Sequence, residues 1–102
     1  MRELRFHPEA RAELVGAAAY HEAERPGYGA KFREEARKVV ELAAELPAVG
    51  QAEEGYPEGV EVRAFQFDVF PYALVVLVEP EVLIVVAVSH GRRLPGYWRK
   101  RL

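Results

Sequence analysis

The stretch Tyr72–Ser89, Y-A-L-V-V-L-V-E-P-E-V-L-I-V-V-A-V-S, decides the fold. Two apolar runs, ALVVLV and VLIVVAV, stand on either side of Glu79-Pro80-Glu81. Runs this short, rich in β-branched residues and parted by a tight turn, predict a hairpin of two strands at about 72–79 and 82–89. An alternating strand keeps one face in water, whereas these are apolar at nearly every position. They therefore predict central strands with both faces at least partly covered. A further strand is expected at about 60–67, and a short half-buried one at residues 2–6, R-E-L-R-F.

Cover for one face is legible between the strands. Phe32, Ala36, Val39, Ala43 and Leu46 recur at spacings of four, three, four and three, which predicts a helix over about 29–46. Glu34–Lys38 and Arg37–Glu41 support its exposed side as i,i+4 pairs of opposite charge. An earlier helix should open at Pro8, where a missing N–H costs nothing, and run to about Arg25, burying Ala10, Leu14, Ala17, Ala18 and His21. Pro26-Gly27, with Gly29 beyond, is turn chemistry between two antiparallel helices. Residues 47–59, rich in Pro, Gly and Glu, read as a surface loop. The expected fold is α+β in the order β-α-α-β-β-β: a mainly antiparallel sheet backed by a helical hairpin, with a basic C-terminal segment. The second sheet face must be covered by that segment or by another protein.

The 102 residues suit a single domain spanning 1–102, large enough to bury a core without staples. With no cysteine, disulfides and thiolate metal sites are excluded. No signal-peptide pattern and no apolar run longer than Val82–Val88 appear, so a cytoplasmic protein with no membrane partner is expected. The net charge of −2 is unevenly distributed. All sixteen acids lie at or before Glu81, and five Lys and Arg follow His90 with no acid among them. Such an end suits an acidic partner or a phosphate backbone, and equally a solvated tail.

Motifs for common chemistry are missing. Gly91 and Gly96 match no phosphate loop, and His7, His21 and His90 have no metal-ligand spacing, so no cofactor and no metal are expected. His7 reads as a helix-end residue and His21 as structural. With Ser89 the only serine, no catalytic triad is readable. The informative stretch is Val88–Arg101, V-S-H-G-R-R-L-P-G-Y-W-R-K-R. Arginines beside aromatic rings can hold phosphate and stack bases. Alternatively, Tyr97 and Trp98 fold back on the sheet as structural residues while Arg93 pairs with a helix carboxylate.

Four segments resemble the RelE/ParE toxin superfamily, nearest its ParE-like plasmid-stabilisation branch. They are Phe6, Pro8, Glu9, Ala10, Glu13 and Leu14 at the start; Tyr20-His21-Glu22 with Pro26–Phe32; Val62-Arg63 with Phe70-Pro71-Tyr72; and the ending A-V-x-H-x-R-R-x-P-x-Y-W-x-x-R over Ala87–Arg101. His7 departs from the pattern, where a Ser or Thr helix cap is common, and this weakens the expected cap. The resemblance implies the toxin of a type II toxin–antitoxin pair, held inactive by an antitoxin that wraps it. A toxin–antitoxin heterotetramer is common for such pairs, and the paired helices and exposed sheet edge would also support a homodimer.

The superfamily has two activities. ParE-like toxins inhibit DNA gyrase by contact without catalysis, and RelE-like toxins cut messenger RNA on the ribosome. Cleavage would require a base, an acid and cations for the phosphorane, for which the candidates are Arg63, His90, Arg92, Arg93 and Tyr97. The acidic composition and the H-x-R-R-x-P-x-Y-W ending favour a non-catalytic inhibitor, so no catalytic residue is assigned. Expected contacts to antitoxin or target are Arg63, Arg92, Arg93, Arg99, Lys100 and Arg101. A non-toxic relative acting only as a binding module is the third reading.

Overall fold

The computed structural model describes residues 2–102. Strand β1 (Glu3–Phe6) leads into helices α1 (Pro8–Glu24) and α2 (Tyr28–Glu45). Strands β2 (Gln51–Ala52), β3 (Glu61–Gln66), β4 (Tyr72–Val78) and β5 (Val82–His90) follow. Every expected element forms within two residues of its expected bounds. The stretch 47–59, expected as loop alone, contains a turn of 3-10 helix at Pro47–Val49 and the two-residue strand β2. No periodicity could announce β2, since two residues have no period.

The sheet order is β1-β5-β4-β3-β2. The β2–β3, β3–β4 and β4–β5 pairs are antiparallel, and β1 joins β5 in parallel. The hairpin read from Tyr72–Ser89 is thus at the centre, as its two-sided apolar pattern requires. Opposite Val75 and Val76 the pairing steps from Ala87 to Val85, which leaves Val86 as a bulge in β5.

One face carries the main core. Phe32, which is fully buried, packs with Phe67, Phe70, Tyr72, Leu74 and Val85 beneath the alanines of α1 and α2. Burying a phenylalanine is worth about 2–3 kcal/mol, so this ring outweighs any single helix-propensity term. The helices approach closely because Gly29 lies at their contact: a Cβ there would sit 2.8 Å from the Ala18 carbonyl oxygen. Gly27 makes the turn with φ at 91°, a left-handed conformation that disfavours any side chain.

His7 caps α1 despite lacking a hydroxyl. Its Nδ1 accepts the Glu9 N–H at 3.1 Å, so the weakened cap expected here is corrected: an imidazole nitrogen supplies the acceptor. Two other helix carboxylates fasten the loops. Glu22 accepts from the N–H groups of Gly27 and Gly29, and Glu35 accepts from those of Asp68, Val69 and Phe70 at 2.9–3.2 Å. Replacing Glu35 with Ala should leave the β3–β4 turn without its acceptor and lower stability by about 1–2 kcal/mol. A thermal melt should fall by several degrees, with Glu35→Gln intermediate; an unchanged melt would show that water serves the turn equally well.

Candidate functional site

The second face of the sheet is where the C-terminal segment lies. Val62, Val75, Val86 and Ala87 form a smaller apolar cluster there, closed by Trp98 and flanked by Tyr56 and Tyr97. Trp98 is buried, and its indole N–H donates to the Tyr56 hydroxyl at 3.3 Å. The segment therefore folds back as a strap and ends in a 3-10 turn, Arg99–Arg101. Leu77 and Ile84 are only partly covered. Of the two covers considered for this face, the chain's own end supplies one and leaves the rest open.

The strap is fastened by Glu13 of α1. Its carboxylate accepts from both terminal nitrogens of Arg101 at 3.0 and 2.9 Å, from the Tyr97 hydroxyl at 2.7 Å and from the Val88 N–H at 3.0 Å. Arg101 also donates to the Val86 carbonyl at 2.9 Å. Burial alone would raise the Glu13 pKa, but the bonds from Arg101, Tyr97 and Val88 outweigh it and hold the carboxyl below its ordinary value. Burial, then the bond to Glu13, pushes the Tyr97 hydroxyl up.

The candidate residues therefore separate into two groups. Arg101, expected as a contact residue, has a side chain only 5% exposed, and its guanidinium is engaged within the molecule. Arg63, also expected as a contact, turns inward as well: it donates to the Gly50 carbonyl at 2.8 Å and pairs with Glu61, anchoring the loop before β2. Both placements have one cause. Backbone carbonyls and a carboxylate of the same chain take up part of each guanidinium's donors, while Arg101 Nε stays buried without a hydrogen-bond partner. Arg92, Arg99 and Lys100 are exposed and make no ion pair among the described residues. Arg93 lies over the Tyr97 ring at 3.9 Å and 3.8 Å from Glu13, with half its side chain in solvent. Arg99 stands over Tyr56 at 5.2 Å. Two tyrosines thus prop two arginines outward on the strap.

The nuclease candidates are brought together only in part: Arg93 lies over Tyr97 and His90 Nδ1 meets the Arg92 N–H, while Arg63 stands apart. Arg63 is paired with Val76 and His90 with Tyr72, four residues apart along β4. At about 3.3 Å per residue that is on the order of 13 Å, before counting the step across strands. Tyr97 packs with the second-face cluster, whereas His90 contacts Tyr72 edge to face at 5.0 Å on the helix side. His90 Nδ1 accepts the Arg92 N–H at 3.0 Å, and His21 Nε2 meets the Tyr72 hydroxyl at 3.1 Å. Tyr72 is buried among His21, Phe32 and Phe67, which fits the structural reading of His21. Glu13, Glu35 and Tyr56, whose side chains hold this arrangement, were assigned no role by pattern reading. Glu13 stood inside a quoted motif, but nothing in its spacing named Arg101 as its partner.

A small mixed sheet, covered on one face by a helical hairpin and on the other in part by a short cationic strap, defines a two-layer α+β domain. The model of the "ParE toxin of type II toxin-antitoxin system, parDE" family matches residues 4–95, and the chain belongs to that family. A solved structure described as the chromosomal ParDE TA system from P. aeruginosa is similar with a TM-score of 0.71 and 15% identity, over 88% of this chain and 96% of the other. Likeness at that identity speaks for the fold. No curated protein matches the chain by sequence. No helix among the described residues is long and apolar enough to cross a membrane, and no cluster of three or more potential metal ligands is present among them.

The Glu13–Arg101 pair makes stability depend on pH. A carboxyl whose folded pKa is depressed contributes stability above its unfolded value of about 4.3 and loses it as pH falls through the lower folded value. Glu13→Gln keeps an acceptor for Val88 but strands the Arg101 charge, at a cost of roughly 3 kcal/mol at neutral pH. Trp98 is the only tryptophan, so its emission reports the strap directly. The variant should melt lower at pH 7 and lose part of the wild-type decline below pH 4. Equal melts at pH 7 would mean that the pair does not hold the strap.

Proposed function

We propose that this chain is the toxin of a type II toxin–antitoxin pair that arrests growth by binding DNA gyrase through protein contact, and that an antitoxin neutralises it by covering the strap and the open part of the second sheet face. The observation that carries this reading is the outward display of Arg92, Arg93, Arg99 and Lys100 on a strap that Tyr97 and Arg101 fasten internally. Such a surface suits an acidic partner, which it attracts by charge and whose segment can order on binding. Against RNA cleavage, Arg63, His90 and Tyr97 are separated, and the Tyr97 hydroxyl already donates to Glu13. Cleavage needs an acid, a base and a cation around one phosphate. The proposed site is therefore a contact surface of Arg92, Arg93, Arg99 and Lys100, while Tyr97 and Trp98 support it.

The test is purified gyrase supercoiling relaxed DNA in the presence of the chain, alongside a ribosome assay for truncated messages. Supercoiling should fail at micromolar protein while messages stay intact. The variant with Arg92, Arg93, Arg99 and Lys100 all changed to Ala should keep a cooperative melt and lose inhibition by about tenfold or more, as expected for removal of several rim charges. Cut messages with normal supercoiling would establish the ribosome as target. If neither assay responds and expression leaves growth unharmed, the chain is a binding module without toxicity.

A further inference from the structure

One free edge of the sheet is β1, and its stretch Arg2-Glu3-Leu4-Arg5-Phe6 reads as its own complement. Glu3 and His7 donate their N–H groups to the Glu81 and Val85 carbonyls, at 2.8 Å each. Backbone groups alternate in direction along a strand, so the N–H and C=O of Leu4 and Phe6 point outward from the sheet. Helix α1 packs over β5 and scarcely touches β1, so it does not overhang that edge. Leu4 and Phe6 are register partners of Leu83 and Val85 in the main core, and their side chains share the helix face. At the rim of that core Leu4 is 40% exposed. Glu3 and Arg5 project from the other face and pair with each other, each more than half in solvent. An exposed pair of this kind contributes little by itself.

The order of these charges names the strand that fits. We propose that two copies of the chain pair through β1, antiparallel about a two-fold axis at Leu4, so that two five-stranded sheets become one of ten strands. In that register Leu4 meets the partner's Leu4, Arg2 meets the partner's Phe6, and Glu3 meets the partner's Arg5 on both sides of the axis. The first two are hydrogen-bonded pairs, each exchanging two backbone bonds, and the third sets opposite charges across the strands. Parallel pairing in register would instead set Glu3 on Glu3 and Arg5 on Arg5, which is destabilising. The other edge, β2, is two residues long, and pairing it with β1 would not close on itself. The helices leave room. Each α1 stands over β5, three strand spacings from its mate, or about 14 Å. That exceeds the roughly 8–10 Å at which helices pack, and the two leucines line the floor of the gap. Arg11 lies over the Phe6 ring, and the Arg2 that approaches it has its Nε drawn aside to the Glu79 carbonyl. So short a contact belongs to the weak class of interfaces, with association on the order of 100 µM. The axis runs through the sheet, so both straps face the same side, and the pairing does not depend on which target they contact.

The test is sedimentation equilibrium of the chain alone, from about 10 µM to about 1 mM at low salt, where exposed charges are least screened. The average mass should rise from 11.5 kDa toward twice that value. Glu3→Arg alone and Arg5→Glu alone each set like charges across the axis, and each should weaken association about tenfold or more. Both side chains are exposed, so both variants should melt as the wild type does. Mixed in equal amounts, the two variants again oppose unlike charges and should associate as the wild type does, now as a mixed dimer. A mass of 11.5 kDa at every concentration would overturn the inference. So would self-association that ignores both substitutions, which would place the contact on another face, or a mixture that recovers nothing.

Discussion

The bidentate pair of Glu13 and Arg101 closes an edge that the backbone alone cannot close. Pro8 has no N–H and starts α1, so β1 stops pairing with β5 once the His7 N–H has reached the Val85 carbonyl. Beyond that point the Val86 carbonyl and the Val88 N–H of a central strand face a helix and not a neighbouring strand. Each would cost about 1–3 kcal/mol if left without a partner. Arg101 donates to the first and Glu13 accepts from the second, while the two side chains bond each other. An ion pair thus continues the line of β1 in side-chain form.

The rest of the second face follows from this closure. Held 88 residues from Glu13 along the chain, Arg101 fixes the end of the strap. Tyr97 is then drawn to the same carboxylate, and Trp98 is set over Val62, Val75 and Val86 against Tyr56. Between these anchors Arg99 stands over Tyr56 and Lys100 makes no ion pair among the described residues, and both are exposed. A pairing needed for the sheet's edge is also what presents the proposed contact surface, so stability and binding are coupled through one carboxylate.

Periodicity made the frame legible because its elements are long enough to show a period. Phe32, Ala36, Val39 and Ala43 announced α2, and the two runs around Glu79-Pro80-Glu81 announced the central hairpin, since these residues meet the core by local geometry. The demand for cover on both faces also followed from the runs themselves. What stayed hidden depends on contacts across the chain. Arg101 looked like any residue of a basic tail, and Arg63 like a free cation in a strand, because burial of a guanidinium is decided by carbonyls and carboxylates tens of residues away. His7 looked like a poor cap because the expectation rested on hydroxyls, while the physical requirement is an acceptor near Glu9 N–H. The proposed contact residues were legible only as a cluster; the structure divides that cluster into Arg101, which is enclosed, and Arg92, Arg99 and Lys100, which are not.

The same division resolves how a chain of net charge −2 can offer cationic surfaces. Net charge sums every carboxylate, whereas a partner meets the local distribution of charge. Glu13, Glu22 and Glu35 each accept backbone N–H groups of a strand, a turn or a loop, and Glu34 and Glu41 hold Arg37. Acids placed on the helices thus fasten the loops and the strap to them. The cations they do not reach include those on the strap and, along α2, Lys31 and Lys38. Part of the acidic balance serves this internal fastening while Glu45, Glu54, Glu58 and Glu81 stay exposed, so the sign of each surface is set by the local distribution of charge and not by the net value.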